Sequence, residues 1–303
     1  MRLIDHRLLV VVGKGGVGRT TCTLALALAL ARHGRRVLVA ELGGTDHLVQ
    51  AAGGQGASYA PRQLAPGVDA MSLTPMDCLD DFGRRKLRVS RVVSLVLRSR
   101  VVQAFIDSVP GLHDLLQLGK LENLLNEPLP SDPKYDICIL DAPATGHGAT
   151  LLAAARSMRE MTRAGPFADL ARIIEDFLHG PGCGMVPVTL LEDLPVQETT
   201  ELLRTLEQDG LRIAAVLANR RASSRLPESP SWLDVRPLLA GQIAPELVRL
   251  ADDALAIQTR QQSSLARLQS AAAQRPLAVL PDIGSPPIVD ALASALAPLT
   301  EEP

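Results

Sequence analysis

The chain has 303 residues, 47 % hydrophobic and 21 % charged, enough to bury a substantial core as one large α/β domain or two small ones. Its net charge of −2 exerts no general pull toward DNA or anionic lipid, and one Trp, two Tyr and four Phe argue against recognition of stacked single strands. Four cysteines, Cys22, Cys78, Cys138 and Cys183, stand far apart without a C-x-x-C pair, which points to a reducing compartment and away from a zinc clip or a metalloid site.

The chain enters an apolar run almost at once, with Asp5 near its start and no small-residue cleavage site, so a signal peptide is not expected and the location reads as cytoplasmic. The longest apolar stretch, Leu24 to Ala31, is too short to span a bilayer, which takes roughly 20 residues. Leu8 to Val12 is a continuous β-branched-rich run stopped by glycines, as expected of a buried parallel strand. Thr20 to His33 reads as a helix closed by Gly34, apolar enough to be covered nearly all round. Val37 to Ala40 is a second short strand leading into Glu41, so strand, glycine loop, helix and strand form a βαβ unit. Met76 to Asn126 shows helical spacing broken at Pro110-Gly111, and Tyr135 to Leu140 returns to a strand ending at Asp141. Leu151 to His179 is helical with a break at Gly165-Pro166. Two further strands follow, Met185 to Leu190 and Ile213 to Ala218, around a helix from about Val196 to Asp209. Arg220 to Pro237 reads as a loop, Pro245 to Ala273 as a long helix, and Leu277 to Leu280 as a last strand. The expected fold is α/β: a mostly parallel sheet with helices on both faces, forming a single domain over 1–303, with an inserted helical subdomain from about 76–126 and 155–179.

The strongest signal is Gly13-Lys14-Gly15-Gly16-Val17-Gly18-Arg19-Thr20-Thr21, between a strand and a helix. A polyphosphate needs close backbone N–H groups, a helix N-terminus, a cation and a hydroxyl for Mg²⁺, and this segment supplies all of them. Gly13, Gly15 and Gly18 also satisfy G-x-G-x-x-G, with Glu41 in the place of a ribose-binding acid, so an NAD-type dinucleotide-binding oxidoreductase is the rival. Against it stand two cations in the loop, the Thr20-Thr21 hydroxyls, and a separate strand presenting Asp141 ahead of Ala142-Pro143-Ala144-Thr145-Gly146-His147, as a Walker B acid and switch would.

On these residues the chain resembles the ArsA/GET-type ATPases, a dimeric branch of P-loop proteins with a deviant Walker A motif. Lys14 matches the family's extra lysine, Asp141 to His147 is close to its D-T-A-P-T-G-H switch, and Val188 to Thr199 resembles its next strand and helix start. Ala218-Asn219-Arg220 falls where the family reads adenine, although a turn residue after a strand is the plainer account of Asn219. The agreement is densest over 8–48 and 135–220, and it implies binding of ATP/ADP and Mg²⁺. By the same resemblance, Thr20 binds the metal, Thr21 the α-phosphate, and Asp141 a metal-bound water. Lys14 reaches the nucleotide of a homodimer or of a heterodimer with a paralogous ATPase, and Glu192 pairs with it when nucleotide is absent.

Two departures stand out. Arg19 occupies the place of the ordinary P-loop Lys; with 4 Lys among 31 basic residues a general bias toward Arg explains its origin but not its geometry, since Arg is planar and bulkier. Hydrolysis by the chain alone is therefore expected to be slow or absent, and a non-hydrolysing regulatory subunit is the second reading. After the second strand the family's S-T-D-P-A is missing; Glu41 and Asp46 are candidates to orient the attacking water, a solvated loop acid being the alternative. In the helical insert Arg84, Arg88, Arg91 and Arg98 share a helical face that suits an acidic partner or simply solvent, and Met158 with Met161 is the only close Met pair there for a protein cargo.

Overall fold

The computed structural model describes residues 2–43, 47–51, 58–86, 104, 108–109, 111–128, 130, 132–142, 154–160, 164–222, 231–239, 241–284 and 286–300. Among them, the strands are β1 (Leu8–Val12), β2 (Val37–Leu42), β3 (Arg62–Ala65), β4 (Val68–Leu73), β5 (Ile137–Asp141), β6 (Cys183–Leu190), β7 (Val216–Arg221) and β8 (Leu277–Pro281). The helices are α1 (Arg19–Arg32), α2 (His47–Ala51), α3 (Pro75–Lys86), α4 (Leu112–Asn126), α5 (Pro166–His179), α6 (Asp193–Gln208), α7 (Trp232–Leu239), α8 (Pro245–Ala272) and α9 (Ile288–Thr300).

The eight strands form one sheet in the order β3-β4-β2-β5-β1-β6-β7-β8, parallel except for the β3–β4 pair. The central strands are buried on both faces, which is why they read as unbroken apolar runs. Alternate residues serve opposite cores: Leu8, Val10, Leu38 and Ala40 pack with α3, α4 and α5, while Leu9, Val11, Val37 and Val39 pack with α1 and α9. Helix α1 lies between the sheet and α9, so its all-round Leu/Ala surface is buried. Arg85 pairs with Asp81 within α3 and, at 2.7 Å, with Asp132, while Lys120 of α4 meets Asp81 at 3.1 Å.

Several boundaries differ from the sequence reading. The β3–β4 hairpin and α9 were not expected; β3 is short and mixed in character, and α9 carries Pro298 inside its last turns. The stretch read as loop from Arg220 to Pro237 holds the end of β7 and most of α7. The strand expected from Ile213 begins at Val216, with Ile213 reduced to a single bridge to Met185. The expected helical breaks coincide with Gly111 and Gly165, which sit at the N-caps of α4 and α5 with φ of 77° and 108°, values that glycine tolerates.

Candidate functional site

Strand β5 lies between β1 and β2, so Asp141 at its end stands beside both the loop after β1 and Glu41 of β2, its register partner. A dinucleotide-binding fold places β2 directly next to β1; here an acid-bearing strand separates them, which sets the dinucleotide rival aside.

The loop from Gly13 to Gly18 is held from both sides. Gly13 (φ 151°) passes so close to β6 that an added Cβ would lie 2.4 Å from the Val188 carbonyl oxygen. Gly18 (φ 90°), the N-cap of α1, leaves room for Asn219, whose Nδ2 would stand 2.4 Å from a Cβ there. Gly16 turns freely at φ 85°, Gly15 is exposed, and Val17 plugs the loop into the α1 core at 3 % exposure. Buried Asn219 donates its amide Nδ2 to the Val17 carbonyl at 2.9 Å, which fixes the amide orientation and leaves Oδ1 as an acceptor.

At the mouth of the loop the Thr20 hydroxyl donates to Asp141 Oδ2 at 2.6 Å. Asp141 is 8 % exposed, and burial raises its pKa despite the hydroxyl and the neighbouring Arg19 and His47. Its Oδ1 and the Nη1 of Arg19 are both buried without a hydrogen-bond partner among the described residues. Burial lowers the Arg19 pKa and Asp141 opposes the change. An unsatisfied carboxylate oxygen and an unsatisfied guanidinium N–H at one loop mouth fit a metal-bound water and a phosphate oxygen respectively.

Thr21 lies to the other side, lining a cleft of about 260 Å³ with Asn219, Arg220, Pro281, Asp282 and Ile288. Arg220 adopts φ 56°, unusual for a non-glycine residue, and Gln261 of α8 braces this turn by bonding the Arg220 carbonyl at 3.2 Å and the Ala222 N–H at 2.9 Å. The cleft's second wall follows β8, past the strand end expected at Leu280; its signal in the sequence is the dipeptide Pro281-Asp282 closing a strand next to β7.

Other sequence-derived candidates are placed differently. Glu41 is not on an open loop: it lies within β2, 3 % exposed, and accepts the Leu48 N–H at 3.3 Å, tethering α2. Asp46, residues 143–147 and Met161 lie outside the described residues. Lys14 pairs with Glu198 at 3.1 Å rather than with Glu192, because Glu192 is the N-cap of α6 and lines a cleft against α8, while Glu198 sits within the helix. Of the basic stripe, Arg84 pairs with Asp80, whereas Arg88, Arg91 and Arg98 fall outside the described residues. Met158 is 2 % exposed and belongs to the core. The four cysteines are buried thiols; burial pushes Cys22, Cys78 and Cys183 up to about 12, so none is a ready thiolate.

Strand order, glycine loop and acid together define a P-loop nucleotide-binding fold. The family model of the anion-transporting ATPases matches residues 6–179, more than half of the chain, and the chain belongs to that family. It is 30 % identical to "ATPase BagA" of Mycobacterium tuberculosis over 82 % of this chain and 74 % of that protein. It is 23 % identical to "ATPase GET3" of Kluyveromyces lactis over 75 % of each chain. A shorter similarity, 30 % over 46 % of this chain, links it to "ATPase ASNA1 homolog 2" of Paramecium tetraurelia, of which it spans 41 %. No described helix is long and apolar enough to cross a membrane.

Proposed function

We propose that the protein binds Mg-ATP at the loop between β1 and α1 and uses it to switch conformation as a dimer, with hydrolysis slowed by Arg19. The observation that carries this reading is the Thr20–Asp141 bond at 2.6 Å beside two unsatisfied buried groups, Asp141 Oδ1 and Arg19 Nη1. In this reading Thr20 Oγ1 and, through water, Asp141 would hold Mg²⁺, whose chemistry is to neutralise phosphate charge. Thr20, with its proton donated to Asp141, would still have an oxygen lone pair to offer the metal. The N–H groups opening α1 would cradle the phosphates, Arg19 would supply the cation for the β/γ-phosphates, and Thr21 would serve the α-phosphate. With its Nδ2 held by Val17, Asn219 would offer Oδ1 to the 6-amino group of adenine, where guanine presents a carbonyl oxygen, and the 260 Å³ cleft beside it would take the base. Lys14, freed from Glu198, reaches the nucleotide of a second subunit, and Glu41 or Asp46 orients the attacking water.

Arg19 is the basis for slow turnover: a planar fork replaces a compact point charge at the transferring phosphoryl group. Steady-state ATP turnover by the purified chain tests this. Arg19→Lys should raise the rate; a wild-type rate that the substitution fails to raise contradicts it. The same residue favours a second reading, a non-hydrolysing subunit beside an active paralogue, which predicts turnover only when that paralogue is added. The α3–α5 layer with the flanking segment, read as a helical subdomain, is the surface we assign to a protein cargo or acidic partner, and no nucleic acid is expected. A cytoplasmic location completes the proposal.

A further inference from the structure

Among the described residues, eight large hydrophobic side chains stand more than a third open to solvent, and five of them, Leu233, Leu238, Leu247, Leu250 and Ile257, lie on α7 and α8. Scattered singly they would need no account; concentrated on one helical arm they mark an interface. The arm is long: α8 runs Pro245–Ala272, yet none of its residues before Ser264 is buried, a reach of about 28 Å along the axis. Its inner side is occupied by α7, where Trp232 Nε1 donates to Asp252 at 2.8 Å and Arg236 forks onto the same carboxylate. The opposite side carries Leu247, Leu250, Ala254 and Ile257 at spacings of three, four and three, the seam of a coiled coil, with Leu250 the most open at 65 %.

We infer that this seam pairs with the same seam of a second copy, the two α8 helices running antiparallel. The charge pattern selects this occupant. With the two-fold axis near Asp252, Leu247 of one copy meets Ile257 of the other and Leu250 meets Ala254. Glu246 then faces Arg260 of the second copy at both ends, giving two opposite-charge pairs beside the apolar layer. Asp253 meets its own symmetry mate near the axis, with Arg249 one helical turn away to offset the repulsion. A parallel pairing would set Glu246 against Ala251 and Asp253 against Gln258, with no ion pair. The next seam position is Gln261, whose amide braces the turn after β7, so pairing of copies bears directly on the loop that follows Asn219. The inference names the contact surface within the dimeric reading above and requires no nucleotide.

Light scattering on the full chain without nucleotide, over about a hundredfold range of concentration, tests it. Wild type should dimerise, and Leu250→Glu should raise the dissociation constant by about a hundredfold or more while leaving the far-UV circular dichroism unchanged, because the side chain is solvent-facing in the monomer. The native cysteines being buried, a mixture of Leu247→Cys and Ile257→Cys chains should crosslink to each other in preference to themselves. A Leu250→Glu dimer as tight as wild type, or equal self- and cross-linking, overturns the antiparallel seam while leaving a dimer by another surface standing. A wild type that is monomeric throughout, and stays so with Mg-ATP, overturns the seam and the dimeric reading together.

Discussion

At the loop between β1 and α1 three candidate side chains are held by other residues of the chain: Thr20 by Asp141, Asn219 by Val17, Lys14 by Glu198. Along the outer half of α8, Leu247, Leu250 and Ile257 stand open to solvent. The first region is built before any ligand arrives and holds Asp141 Oδ1 and Arg19 Nη1 buried without a hydrogen-bond partner among the described residues, whereas the second is the surface we infer to pair with a second copy. Preorganisation costs backbone strain and buried charge at the site; the arm carries neither, and its apolar face contributes only when covered.

Substitutions that reshape the loop should separate the two regions most sharply. Gly18→Ala places a methyl group 2.4 Å from Asn219 Nδ2 at φ 90°, so we expect adenine-nucleotide affinity to fall at least about a hundredfold by isothermal titration, with self-association untouched. Asp141→Asn keeps the shape but removes the charge, and should weaken Mg-ATP binding by about 10–100-fold while scarcely changing binding of ATP in EDTA. A smaller effect follows from pH. The Asp141 pKa in the folded chain lies above the ordinary 3.8, so the ligand-free fold takes up this proton first as pH falls. Its ionisation therefore costs stability above the folded value, and that cost is relieved as pH drops toward 3.8. Buried His6 acts with the opposite sign: its pKa lies below 6.5, so its contribution is fully present above 6.5 and is lost as pH falls below it. Denaturation profiles of Asp141→Asn and His6→Gln should each lose the corresponding slope. The smallest effect is expected for Glu198→Ala, which frees a half-exposed Lys14; the stability change should stay under about 1 kcal/mol in urea titrations.

The site was the more legible of the two regions. Phosphate chemistry admits few residue types, so Gly13 to Thr21 and Asp141 could be read from one sequence, and their placement at adjoining strand ends follows from the βαβ order. Glu41 is expected just past the second strand, as a candidate to orient the attacking water, because nothing in Val-Leu-Val-Ala-Glu-Leu shows where the strand stops; burial on both faces carries β2 through the charge. Glu192 is the partner the resemblance implies for Lys14, but with α6 starting at Asp193 it stands at the helix N-cap, and Glu198 within the helix makes the pair. The α8 periodicity was visible, but an apolar stripe has the same spacing whether it faces a core or solvent. That distinction depends on what packs against it, which no local pattern records.

Calorimetric titration of the wild-type chain with Mg-ATP, set against Gly18→Ala and against NAD, tests the nucleotide site most directly. Saturable binding of one Mg-ATP per chain, lost in Gly18→Ala and unaffected by NAD, is the expected result. Binding of NAD in its place, or Mg-ATP affinity that survives Gly18→Ala unchanged, would contradict a triphosphate seated between Gly13 and Thr21.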